Sequence, residues 1–344
     1  MSLLQLPPET LGLIFKQIGS GFFQEDIKRL TICKRWYEFA LAECLRRVIL
    51  TVDSLKHVVR AGIFEPPSAL IGSCQILGLH LGGNRSTSHN EDSRLIQAEA
   101  SQEGGLVDRY ALDHDLTQLA TLTQRSRKLH TLHIQAWSFP LGPLGSQEDY
   151  LSLPTIRSLL AVDNLSVLVL DLLVGFWNPD GYRETGCQLC PNIGTLLGNL
   201  QELQLRTRTI CPCALKPRSH SSGLRLHKCV VNLSLATNLP WKTSASHAQR
   251  CGSNGGGLLQ LKADLQKQAE SLVPRMATPK TLRILTHLLP TIEIRSLDVL
   301  TGKTMILDDN AAWDQDGRFP EEFSASESEL SDDALAAFLD SDDD

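Results

Sequence analysis

Over the first fifty residues, apolar positions recur at helical spacing in three short runs. Leu11, Ile14, Phe15 and Ile18 fall on one face of a predicted helix, which Pro7-Pro8-Glu9 opens favourably and Gly19-Ser20-Gly21 ends. Ile27, Leu30 and Cys33 mark a second helix, and Trp36, Phe39 and Ala40 a third that continues toward Leu45 and Val48. A unit this small cannot bury so much apolar surface by itself, so the pattern calls for a partner that covers it.

Beyond Pro66-Pro67 the period changes. The spacing apolar-x-x-apolar-x-apolar recurs at Cys74/Leu77/Leu79, Leu129/Leu132/Ile134, Leu165/Leu168/Leu170 and Leu200/Leu203/Leu205. It returns at Val230/Leu233/Leu235 and Ile294/Leu297/Val299. From Leu129 the starts lie 36, 35 and 30 residues apart and then 64, which is room for two repeats. Helical runs are predicted between the strands, over 116–127, 153–162, 190–197, 258–272 and 281–289. A polar stretch over 84–105 reads as an insertion. One short strand per repeat, alternating with helix, predicts an irregular leucine-rich-repeat-like α/β solenoid whose parallel strands line one face. The repeats exceed the usual ~20–29 residues, and a two-layer α/β domain is the alternative. The predicted fold class is α+β to α/β, with a helical unit over 1–50, a repeat domain over 51–308 and a disordered tail over 309–344.

Composition adds a charge asymmetry. From Asp314 to Asp344 there are twelve acidic residues and one basic residue, Arg318, while the rest of the chain carries 32 basic and 27 acidic residues. A mildly basic body without clustered Lys and Arg is a poor nucleic-acid footprint, and the acidic tail would repel phosphates. In that tail Leu330, Ala334, Leu335, Phe338 and Leu339 share helical spacing, and Ser326, Ser328, Ser331 and Ser341 precede acidic residues. The readings are a solvating segment, a helix that forms on a partner, or sites for an acid-directed kinase. No apolar run approaches the ~20 residues of a membrane span. The nine cysteines are odd in number and widely spread, which suits a reducing compartment, so a cytoplasmic or nuclear protein away from membranes is expected.

The opening helices resemble the F-box family. Leu6-Pro7-x-Glu9, Leu11, Ile14-Phe15, Asp26-Ile27, Leu30, Cys33-Lys34-x-Trp36 and Ala40 follow its pattern, with Thr10 where an aliphatic is usual and a longer 19–23 loop. The resemblance implies a three-helix F-box in which Leu6, Pro7, Ile14, Leu30, Cys33 and Trp36 face or support a Skp-family adaptor that links to a cullin scaffold. Paired with loose leucine repeats, it resembles fungal F-box proteins. The repeats would then hold a client protein. Their outward positions are His133, Gln135, Val169, Asp171, Gln204, Arg206, Ser234 and Ala236. Trp137, Trp177 and Trp241 follow strands and either gather at one rim or fill core at strand ends.

Other chemistry is sparse. Cys187-x2-Cys190 and Cys211-x-Cys213, with His220, Cys229, His247 and Cys251 nearby, form the one constellation with zinc-ligand character. The alternative is a set of apolar cysteines beside strands. The Gly252–Gly257 run lacks a Gly-Lys-Ser/Thr ending, and Thr301-Gly302-Lys303-Thr304 lacks the upstream glycine of a phosphate loop. No nucleophile elbow or nameable base accompanies Cys33 or any serine. The expectation is a non-catalytic substrate-recognition subunit of a ubiquitin ligase without a cofactor. A non-ligase F-box scaffold is the alternative, and a zinc-binding protein ranks below both.

Overall fold

A computed structural model of the 344-residue chain describes residues 6–63, 69–82, 97–137, 149–178, 189–218, 223–235, 247–252, 256–287, 293–308 and 311–319. The chain divides into two compact units. Met1–Phe139 with Pro154–Leu165 makes the first, and Pro140–Leu153 with Ser166–Asp344 the second. The opening helices therefore share a unit with the first strands.

In the first unit, α1 (Pro8–Glu25) kinks at Gly19, whose φ of 82° is a conformation that glycine adopts without a Cβ clash. The predicted second helix is only a 3-10 turn, Ile27–Leu30, opened by Asp26, whose side chain accepts from the Lys28 amide at 3.0 Å. Helix α2 (Lys34–Cys44) follows. Leu11, Phe15, Phe23, Leu30 and Ala40 form one small core, with Leu6, Trp36, Phe39, Leu41 and Cys44 packed on it.

The chain then runs through β1 (Arg47–Thr51), α3 (Val52–Arg60), α4 (Ala69–Ser73), β2 (Ile76–Gly82), α5 (Gln97–Arg125) and β3 (Thr131–Trp137). A reciprocal Thr51–Ser54 capping box starts α3 directly from the end of β1. Strands β1, β2 and β3 pair in parallel, with Ile49 opposite Gly78 and Gly78 opposite His133. Alternation then sends Leu77, Leu79, Leu81, Leu132, Ile134 and Ala136 to a buried side. Helix α5 begins at Gln97, inside the stretch read as an insertion; its buried residues Leu112, Leu116, Leu119 and Ala120 are the part that periodicity reveals.

After β4 (Leu151–Ser152), most of α6 (Leu153–Leu160) belongs to the first unit, where Thr155 bonds Asp113 and Gln124 donates to the Ser158 carbonyl at 2.9 Å.

The second unit continues with β5 (Val167–Leu172), β6 (Phe176–Trp177), α7 (Cys190–Leu196), β7 (Glu202–Thr207), β8 (Thr209–Ile210), β9 (Lys228–Asn232) and β10 (Gln249–Arg250). Helix α8 (Leu258–Leu272), β11 (Thr281–His287), β12 (Ile294–Asp298) and β13 (Thr304–Leu307) complete it. Strands β5, β7, β9 and β11 are parallel neighbours in that order, and β12 and β13 add antiparallel at the end. Short parallel ladders join β4 to β6 and β8 to β10. Each unit is thus α/β with a mostly parallel sheet, and the described strands form no closed barrel.

Three expectations need correction. Residues 281–287 are a strand, not a helix. The short run Thr-Leu-Arg-Ile-Leu carries no 3.6 period long enough to decide, and pairing with β9 on one side and β12 on the other decides it. The Ile294 repeat is antiparallel, because so few residues separate it from β11 that no parallel crossover, which takes about a dozen, is possible. The tail over 309–344 is not wholly free: residues 311–319 pack on the second unit, as described below. The acidic stretch beyond residue 319, with its serines and its apolar Leu330–Leu339 face, lies outside the described residues.

Candidate functional site

The helices of residues 8–44 present two different surfaces. Of the six residues assigned to adaptor binding, Leu30 is buried in their core and Trp36 is half-buried there. The Trp36 indole stands edge-on to Phe15 at 4.5 Å, and its Nε1 donates to the Arg29 carbonyl at 2.6 Å. Cys33 caps α2, its sulfur accepting from the Trp36 amide at 3.4 Å. Arg35 donates to the Leu6 carbonyl at 2.9 Å, which ties the start of α1 to α2 with Pro7 exposed beside it. Ile14 is partly exposed and lines a shallow depression with Thr10, Leu13, Gln17 and Ile18. Leu13, Ile27 and Ile32 remain 65%, 69% and 62% exposed. Sequence pattern missed Leu13 and Ile32 because they lie off the face that packs inward, and it read Ile27 as part of a packed face, whereas it is exposed.

On the first unit's sheet, the side opposite the core carries Ile49, His80, His133, Gln135 and Trp137. The two histidine rings meet edge-on at 5.9 Å. A Cβ on Gly82 would come within 3.3 Å of the Trp137 ring, so glycine lets the indole lie against the strand. This face stays partly exposed.

The matching positions of the second unit are covered. Asp171 and Arg206 are both buried and form a bidentate pair at 2.6 and 2.8 Å. Register sets Gln204 opposite Val230, Val230 opposite Arg283, and Asn232 opposite Leu285. Residues 311–319 lie over this face. Trp313 sits on the Arg206 guanidinium at 4.7 Å and joins Val230, Leu285, Leu307, Ile294 and Ala311 in one apolar cluster. Lys228 pairs with Asp314 at 2.5 Å, and Arg283 holds Asp316 and the Gln315 carbonyl. Burial works to raise the Asp314 carboxyl, but the hydrogen bond and charge of Lys228, aided by Arg283, outweigh it and hold the group below the usual carboxylate range. Arg318 then exchanges backbone hydrogen bonds with Ile306 at 2.7 and 2.9 Å, covering the edge of β13. The outward surface expected at Asp171, Arg206 and Ser234 is therefore not open; Ala236 lies outside the described residues. The covering segment was missed because its acidic residues read as the start of the tail, whereas Asp314 and Asp316 pair with Lys228 and Arg283.

Trp177 donates from Nε1 to the Tyr150 carbonyl at 3.2 Å, a structural role, and Trp241 lies outside the described residues. Thr301-Gly302-Lys303-Thr304 lies on the β12–β13 hairpin turn, where Asp298 accepts from Leu300 and Thr301 and Gly302 has a φ of 70°.

The cysteine constellation is rearranged. Cys190, Cys211 and Cys251 bring their sulfurs within 4.8 Å of one another. Cys213 is exposed and outside this group, and Cys187 and His220 lie outside the described residues. Hydrogen bonding with Cys211 and Cys251, and then burial, push the Cys190 thiol far above its usual range. Burial likewise pushes Cys74 up to about 11 and Cys229 up to about 12. These are poor nucleophiles as thiols.

No model of a known protein family matches the chain, and no curated protein matches it in sequence.

Proposed function

We propose that the chain is a substrate-recognition subunit of a Skp–cullin–F-box ubiquitin ligase. The helices of residues 8–44 dock a Skp-family adaptor, and the α/β region holds a client protein. What carries the reading is the division of labour in those helices. Residues of the F-box pattern such as Leu11, Phe15, Leu30 and Trp36 are spent on a core, while Leu13, Ile14, Ile18, Ile27 and Ile32 are left for a partner.

The finer architecture that suits this role is an irregular leucine-rich-repeat solenoid, supported by in-register leucines on parallel strands such as Leu168–Leu203 and Leu170–Leu205. On the first unit a client docks on the partly exposed face of Ile49, His80, His133, Gln135 and Trp137. On the second unit it must displace Trp313 and its acidic neighbours. Such a subunit contributes proximity, holding client lysines near a charged ubiquitin carrier, and needs no nucleophile of its own.

The test is affinity purification of the full chain followed by immunodetection of the cullin. Co-purification of cullin with the adaptor supports a ligase subunit. Adaptor without cullin turns the assignment to a non-ligase scaffold, and neither partner removes it.

A further inference from the structure

Cys190, Cys211 and Cys251 come from three separate elements, and the fold brings them together by register. Strand β8 pairs with β10 so that Ile210 faces Arg250, and the next residues on the two strands are Cys211 and Cys251. The Cys251 amide continues the ladder by donating to the Ile210 carbonyl at 3.2 Å. Cys190 enters from the first turn of α7, just before Pro191, whose fixed φ suits that position. Its sulfur lies 3.6 Å from that of Cys251 and accepts from the Cys211 amide at 3.3 Å. Thiolates 2.3 Å from a tetrahedral zinc stand about 3.8 Å apart, close to this spacing.

A ladder of two residue pairs is too short to hold itself. Nearby packing positions it: α7 lies against the Pro212–Leu215 turn, and Arg250 pairs with Asp264 of α8 at 2.5 Å. Three buried or half-buried sulfurs converging on such a ladder form a cross-linking site with soft donors. Cys251 is the least buried of the three.

We propose that Cys190, Cys211 and Cys251 bind one zinc ion, which staples α7 to the β8–β10 ladder. Binding exchanges up to three thiol protons for the cation, and the protons leave to solvent. The inference is independent of the adaptor-docking reading.

The test uses the full chain, stripped by chelator under reducing conditions and reloaded with zinc or cobalt. The expected result is one zinc per chain and, with cobalt, a near-ultraviolet thiolate-to-metal band. Cys213→Ser keeps both, and Cys190→Ser/Cys251→Ser loses both. Should the double variant misfold, thiol alkylation of the unmodified chain decides: zinc protects Cys190, Cys211 and Cys251 but leaves Cys213 reactive. No zinc uptake, zinc held equally by the folded double variant, uniform alkylation with and without zinc, or a Cys190–Cys251 disulfide in place of the ion would each overturn the proposal.

Discussion

The Trp313 indole covers the Arg206 guanidinium, with 4.7 Å between Cζ and the ring centre. Arg206 already gives two hydrogen bonds to Asp171, so the ring lies over a neutralised pair and shields it from water. Trp313→Ala should cost about 1–2 kcal/mol from lost apolar contact and cation–π attraction. Hydrogen exchange should show residues 311–319 opening faster while the protection of α1 and α2 is unchanged.

Beneath that ring, the Asp171–Arg206 pair is worth more broken than replaced. Arg206→Ala leaves a buried carboxylate without its partner and should cost about 3–5 kcal/mol. Asp171→Leu combined with Arg206→Met removes both charges and should recover most of that loss. Urea titrations of the single and double variants check the non-additivity.

Acid should loosen the same segment. The folded-state pKa of Asp314 is held below its unfolded value of about 3.9, so its contribution is fully present above that value. It fades as the pH falls through the folded value. Proteolysis of residues 311–319 should therefore be independent of pH from neutrality down to about 5 and rise below about 4. Asp314→Asn should flatten that rise.

Gly194 sits where α7 meets the Pro212–Leu215 turn, and a Cβ there would stand 2.6 Å from the carbonyl oxygens of both Cys213 and Lys216. Backbone has little room to give. Gly194→Ala should destabilise the second unit by about 1–3 kcal/mol, as overpacking does, and lower its thermal midpoint. Because α7 carries Cys190, zinc uptake should weaken in the same variant.

What the sequence could reveal followed the range of its signals. The face of Leu11 and Phe15 repeats over several turns and was readable, as was α8, whose buried Leu261, Leu265, Ala269 and Leu272 keep helical spacing. Strand β11 was not, since a short apolar run fits either period until its neighbours pair with it. The early turns of α5 carry no apolar stripe to betray them. Cys251 was visible only as a neighbour of the Cys187–Cys213 set, because its closeness to Cys211 arises from the β8–β10 register and not from spacing along the chain. Trp313 was hidden in the same way. Its meaning depends on Arg206, which lies more than a hundred residues earlier.

The adaptor is proposed to bind the outward face of α1. Calorimetric titration of purified adaptor into the full chain, unmodified and as Leu13→Asp, tests it most directly. Leu13 is 65% exposed, so the variant keeps its fold and changes only the surface. The expected result is saturable one-to-one binding by the unmodified chain and a loss of at least about 30-fold in the variant, the size of an interface hot spot. Absence of binding by the unmodified chain, or equal affinity of the two proteins, would contradict it.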